Sequence, residues 1–297
     1  MHLLAQDLVN GILAGGILAV VALGFSLVWG IMNIINLAHG AYIMLGAYAT
    51  YELFTRLHVD PFLSLPISFV LLFTLGYLIQ RFLINWVVRA PILASFLLTF
   101  GLSLLIVNIA LIVWTSDTVG VTTSYSGANF TLATVTVPWV KLYTLIAALA
   151  ITGIMQVWLT RSKTGRAIRA TAMDIGAAQL SGVRVPQIFA IVYGLGAGLA
   201  GVAGTLISLS YPINPSMGDP FLIKAFVVCV LGGLGSVEGA LIGGLTYGII
   251  ESFATQIDVT IGTQHISGSG LQDAIALVVL LIVLMVRPRG IVGRATA

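Results

Sequence analysis

Charge is what this chain has least of. Only 8% of its 297 residues are Asp, Glu, Lys or Arg, against 59% hydrophobic, where a water-soluble domain carries roughly 25% charged residues. A globule with a hydrated surface is excluded, and most of the chain must be solvated by lipid. Cysteine occurs once, at Cys229, which rules out an internal disulfide and leaves a small apolar packing residue. No Lys or Arg precedes Arg56, so the first apolar run lacks the basic leader of a cleavable signal peptide and is expected to remain. There is no Gly-Lys pair, hence no Walker sequence, and neither H-E-x-x-H nor G-x-S-x-G occurs. The four histidines, at 2, 39, 58 and 265, are scattered without metal-ligand spacing. A membrane enzyme would need a nucleophile and a base that these residues do not supply. The net charge of +3 asks for no nucleic-acid partner.

What is present is a series of apolar runs near the roughly 20 residues needed to cross a hydrocarbon core of about 30 Å. They fall at 8–31, 37–55, 62–84, 92–114, 139–159, 188–211, 221–235, 237–255 and 271–286. The expected fold is therefore all-α, a polytopic integral membrane protein forming one domain over 1–297 with about nine transmembrane helices. Eight crossings result if the second run, interrupted at His39 and Gly40, is not complete, and the short seventh run has the length of a re-entrant segment. Basic residues cluster at Arg81 with Arg89, at Arg161, Lys163, Arg166, Arg169 and Arg184, and at Arg287, Arg289 and Arg294. The positive-inside rule makes these regions cytoplasmic, and Asp60, Asp117, Asp219, Asp258 and Asp273 fall in the opposite loops. Nine alternating crossings then leave the N-terminus outside and the C-terminus inside.

Glycines four apart, such as Gly11 with Gly15 and Gly194 with Gly198, let helix backbones approach closely in lipid. Residues 10–30 and 193–214 are faintly self-similar and run in opposite directions in this topology, as an inverted repeat would. "GAGLAG", Gly196 to Gly201, matches a dinucleotide fingerprint, but no strand precedes it inside this apolar helix. "NIINLAHG" sets Asn33, Asn36 and His39 beside long apolar runs. Unpaired polar groups facing lipid would each cost several kcal/mol, so these side chains must meet protein, water or a solute. Ser95, Thr99 and Ser103 recur at a spacing of four. The stretch 165–182 is polar and Ala-rich, with apolar stripes at Ile168, Ala172, Ile175 and at Met173, Ala177, Leu180. Two narrow stripes suit a helix held between surfaces rather than one lying on a membrane. The residues alone leave open a stand-alone channel or an ion-coupled transporter.

Four stretches, "ALGFSLVWGIMNIINLAHGAYIMLGAY", "KTGRAIRATAMDIGAAQLSGVRV", "KAFVVCVLGGLGSVEGALIGG" and "VRPRGIVG", together resemble the permease subunits of bacterial ATP-driven importers of branched-chain amino acids. Urea and short-chain amide importers look similar. Ala41 departs from the pattern, in which an acidic residue commonly follows the His-Gly pair. The resemblance implies a protein that is not itself an enzyme and binds no cofactor, with ATP and Mg held by partner subunits. It implies a second homologous permease, two ATPase subunits, a periplasmic solute-binding protein and a place in the bacterial inner membrane. It also implies that 161–186 is a cytoplasmic coupling segment, with Arg169, Asp174, Ala177, Ala178 and Gly182 at the ATPase contact. Asn33, Asn36, His39 and Thr99 are then the candidates for the substrate pathway.

Overall fold

A computed structural model describes residues 2–87, 91–123, 125, 127–132, 135–257, 259–261, 264–266, 268–287 and 290–292. Arg89, Asp258, Arg289 and Arg294, used in the charge argument, lie outside these. The helices in chain order are α1 (His2–Met32), α2 (His39–Leu57), α3 (Pro61–Phe82), α4 (Ile92–Trp114), α5 (Trp139–Arg161) and α6 (Lys163–Met173). They continue with α7 (Ile175–Leu180), α8 (Val185–Ser208), α9 (Gly218–Gly232), α10 (Val237–Ala254) and α11 (Gly268–Val286). Two short antiparallel hairpins, β1 (Asn129–Leu132) with β2 (Val135–Pro138) and β3 (Val259–Ile261) with β4 (Gln264–Ile266), decorate the connections. Apolar periodicity gave no sign of them.

Two helices form the centre. The most apolar stretches of α1 and α8 are 89% and 94% buried, whereas those of α3, α4 and α5 are only 22–28% buried and turn their outer faces to lipid. Backbone proximity explains the difference. A Cβ built on Gly11 would lie 2.6 Å from Ile249 Cα, and one on Gly15 would lie 2.7 Å from Gly244 O, so α1 and α10 touch main chain to main chain and run antiparallel. Gly194 and Gly198 of α8 meet Phe73 and Phe69 of α3 in the same descending order. Where the two central helices cross, Gly24 meets Leu199 and Gly196 meets Val28, so α1 and α8 are antiparallel too. The 10–30 and 193–214 stretches thus do equivalent work with opposite direction, as the geometry of an inverted repeat requires.

Charge separates the two ends. Arg169 lies beside the last turns of α1 and α5, and Arg81 and Arg184 beside the start of α8. Asp60 caps the start of α3 at the other end, near the hydroxyl contact of Ser68 with Thr205 late in α8. Most of the described basic side chains thus gather at one end of the bundle, its basic end.

The expected nine crossings are not nine full-length helices. Among the described residues five helices are long and apolar enough to span, and a sixth span results if α9 and α10, bent by 114° across a short break, count as one. Helix α2 starts alongside the middle of α1: His39 Nε2 donates to Val21 O at 2.9 Å. Helix α9 starts against α2, where a Cβ on Gly40 would lie 2.7 Å from Gly218 O. Both follow non-helical connections, 33–38 and 209–217, that carry the chain back into the bundle. The apolar part of α11, Gln272–Val286, is short.

Gly46 tests this packing, because its Cβ would lie 2.2 Å from Gly201 O. Overpacking of this kind costs typically 1–3 kcal/mol. Gly46→Val should lower the yield of monodisperse protein in detergent and its thermal transition. Gly153→Ala, with nothing within 4 Å of the new methyl, should leave both unchanged or raised, since Ala exceeds Gly in helix propensity by about 1 kcal/mol. Equal behaviour of the two variants would contradict the contact.

Candidate functional site

The chain doubles back at Asn33, whose φ of 55° lies in the left-handed region that Asn tolerates better than most residues. The segment that follows is held by side chains rather than by a helical ladder. Asn36 Oδ1 accepts from Tyr193 OH at 3.0 Å and from Ala38 N at 3.1 Å, and Tyr193 OH lies 3.3 Å from Tyr42 OH. Thr99 Oγ1 accepts from Leu37 N at 3.3 Å and lies 3.0 Å from Ile35 O. Because His39 Nε2 carries the hydrogen given to Val21 O, its Nδ1 is left as an acceptor. That nitrogen and Asn36 Nδ2, a donor, have no partner among the described residues, although Asn36 is 1% exposed and His39 fully buried. An unmet polar group of this kind costs about 1–3 kcal/mol; Tyr48 OH, Asp7 Oδ2 and the Gln80 amide are also unpartnered among the described residues, but only here do two such groups lie three residues apart beside a break in the helices. Phe25 covers the His39 ring edge-on, with centroids 5.6 Å apart.

The structure therefore brings Asn36, His39 and Thr99 together around one irregular segment. Asn33 is elsewhere. It is exposed at the basic end, lining a cavity of about 510 Å³ with Trp29, Ile31, Thr171, Asp174 and Gly176. Three residues apart in an extended segment do not share a surface as they would on a helix, which is why Asn33 and Asn36 part company.

The second candidate region, 161–186, is a helical hairpin rather than one helix. Ser162 caps α6 by accepting from Gly165 N at 2.8 Å. At Asp174 the backbone turns extended (φ −156°, ψ 115°) and the carboxylate accepts from Ala177 N at 2.9 Å, which ends α6 and starts α7. Arg169 reaches back to the last turn of α5, donating to Leu159 O and, at 3.3 Å, to Thr160 O. Ala178, expected among the residues that meet a partner, is buried at 3% exposure, because the break at Asp174 rotates α7 relative to α6. Ala177 stays exposed. Gly182 has φ +84° just past α7, and the space around it is open, so the backbone conformation alone demands glycine. The side chains that project furthest are Met173 and Leu180, 90% and 93% exposed, from the stripe shared with Ala177.

Sequence reasoning missed Tyr42 and Tyr193, whose hydroxyls stand out only as polar tips in small-residue helices. It also missed the hydroxyl chain of Thr50 with Thr205 (2.8 Å) and Thr205 with Ser68 (3.1 Å), which ties α2, α3 and α8 together. No group of His, Cys, Asp and Glu suited to a metal ion occurs among the described residues.

Two glycine-locked central helices, lipid-facing outer helices and a broken helix with under-satisfied polar groups define a polytopic membrane permease. The profile of the family described as branched-chain amino acid transport system, permease component, matches residues 8–286. The chain is 31% identical to the high-affinity branched-chain amino acid transport system permease protein BraD of Pseudomonas aeruginosa, covering 97% of this chain and 95% of that one. It is likewise 31% identical to LivH of Escherichia coli K12, with the same coverage. To a probable branched-chain amino acid transport permease protein LivH of Methanocaldococcus jannaschii it is 31% identical over 96% of this chain and 91% of that one. No solved structure matches. The chain belongs to the family of permease components of branched-chain amino acid transport systems.

Thr99 gives a direct test of how the irregular segment is held. Thr99→Val leaves Leu37 N and Ile35 O without their hydroxyl partner and should destabilise the purified protein by about 1–3 kcal/mol, read as a lower thermal transition. Thr99→Ser keeps the hydroxyl and should recover most of it; equal losses in the two variants would assign the effect to the methyl group instead.

Proposed function

We propose that this chain is the membrane-embedded half-channel of an ATP-driven importer that carries leucine, isoleucine or valine across the bacterial inner membrane. It pairs with a second, homologous permease, two ATPase subunits and a periplasmic solute-binding protein, and the ATP and Mg are bound by the ATPase subunits, not here. The observation that carries this reading is the capped hairpin at the basic end, which holds two large apolar side chains, Met173 and Leu180, almost wholly out of the protein. A lone pair of such knobs beside membrane-proximal arginines is costly to leave in water and suits insertion into a groove of a soluble subunit.

Residues 161–186 act as the coupling segment. Arg169 and the Ser162 cap join α6 to the end of α5, and the cavity shared by Asn33 with Thr171 and Gly176 joins the hairpin to the irregular segment after α1. Movement of an ATPase subunit under the hairpin is thereby passed to Asn36, His39 and Thr99, which line the pathway as the permease rocks between outward-open and inward-open states. Their unmet donor and acceptor match the needs of a solute with a carboxylate and an ammonium group, while the surrounding apolar side chains suit an aliphatic tail. Asp174 and Gly182 set the two ends of α7, and Ala177 and Ala178 keep its flanks thin.

Met173→Asp and Leu180→Asp place a carboxylate in the groove. Burying an unpaired charge costs about 3–5 kcal/mol, which is at least roughly a hundredfold in affinity. Both variants should fold normally and fail to co-purify with ATPase subunits, and Gly182→Val should weaken the same association by misplacing the end of α7. Asn36→Ala and His39→Ala should keep the assembly and lower uptake of radiolabelled leucine, isoleucine and valine. Normal ATPase association in both aspartate variants would remove the coupling role. Loss of folded protein in step with loss of uptake in Asn36→Ala and His39→Ala would return those residues to packing.

A further inference from the structure

Two arginines share a cleft bordered by Gln179 and Val183 of the coupling segment. Arg81, in the last turn of α3, and Arg184, which precedes the first turn of α8, both line a cavity of about 700 Å³ together with Tyr77, Asn85 and Gln187. Neither guanidinium has an ion-pair or hydrogen-bond partner among the described residues. Arg184 makes no side-chain cap to α8, whose N-terminal end adds its own partial positive charge there. The site is thus a concentration of positive charge with hydrogen-bond donors and no internal anion. Guanidinium forks match the oxygens of a phosphate, which they bind in bidentate fashion.

The same face of α3 continues away from the basic end as something quite different. Val70, Thr74, Tyr77 and Arg81 follow each other at spacings of three and four, one stripe along the helix. Pro66, Ile67, Val70, Leu71 and Thr74 line a second cavity of about 650 Å³, and Val70 and Leu71 are 61% and 50% exposed. From Ile67 to Arg81 the helix rises about 21 Å, at about 1.5 Å per residue, enough to traverse one leaflet of a hydrocarbon core about 30 Å thick. Phe82 and Trp86, both well exposed, flank Arg81 where aromatic side chains favour the membrane interface. A cationic cleft at the interface, with an apolar trench farther along the same face of α3, has the polarity of an amphiphile.

We propose that a phospholipid with a net negative headgroup occupies this face, its phosphate on Arg81 and Arg184 and one acyl chain along Ile67, Val70 and Thr74. A carboxylate of a soluble subunit reaches only the cleft and leaves the trench unexplained. The binding is independent of which solute is carried.

The test uses the full-length protein in nanodiscs of phosphatidylcholine doped with phosphatidylglycerol, released into mild detergent, with co-retained lipid measured by native mass spectrometry. Wild type should retain phosphatidylglycerol well above its share of the nanodisc. R81Q/R184Q, at exposed positions, should fold normally and lose that preference. V70W, which fills the trench without touching charge, should retain less phosphatidylglycerol than wild type with both arginines intact, and it decides the matter alone if the double variant does not fold. Three results each overturn the proposal: phosphatidylglycerol retained equally by all three proteins; inorganic phosphate raising the thermal transition of wild type and V70W alike with no difference in lipid retention, which assigns a free-anion site; or loss of ATPase subunits from R81Q/R184Q with lipid retention unchanged, which assigns the arginines to that contact.

Discussion

Main-chain contact between helices is the constraint on which the rest of this structure depends. In lipid, burying a leucine gains little, because the acyl chains it leaves are as apolar as the interior it enters; association must come from close packing. Helices α1 and α8 achieve this by presenting glycines to α10, to α3 and to each other, at separations where an added Cβ would lie only 2.5–3.0 Å from backbone or side-chain atoms. Each contact contributes only a fraction of a kcal/mol of dispersion, but the contacts run along whole helices and sum. The two central helices are consequently sealed from lipid and leave α3, α4 and α5 as the surface that faces it.

A core locked by backbone contact concentrates freedom at its breaks. The segment 33–38 and the hairpin at 163–180 are held by single caps and side-chain bonds: Thr99 to Leu37 and Ile35, Asn36 to Tyr193, Asp174 to Ala177, Arg169 to the end of α5. Bonds of this kind contribute about 1 kcal/mol each, well within what binding of a partner can reorganise. The cavity between Asn33 and the hairpin places the two adjustable regions side by side.

The apolar helices, their approximate ends and the gathering of arginines at one end of the bundle were legible in the sequence, because length, hydropathy and charge each act locally. The glycine pairs and the left-handed glycine at Gly182 were legible for the same reason. The breaks were not. Asp174 sits in an Ala-rich stretch with no proline, and the capture of Ala177 N by its side chain ends α6 there and starts α7, which turns Ala178 into the protein while Ala177 stays exposed. His39 and Gly40 mark an interruption in hydropathy, but that α2 begins level with Val21, and not at the end of α1, depends on a hydrogen bond between residues 18 apart. The partnership of Asn36 with Tyr193 spans 157 residues, beyond any local pattern.

The start of α2 has an electrical consequence. It lies in the middle of the bundle, its N-cap Ala38 makes no side-chain bond, and its first turn contains no acidic residue. A helix in that state ends in roughly half an elementary positive charge, here undiluted by water. The start of α9 abuts it, with only the exposed Asp219 to offset its own field. Two helix starts thus direct their positive dipole ends into the middle of the bundle, without a lysine or arginine from α1 or α2 at that depth, and their field there opposes the entry of a cation.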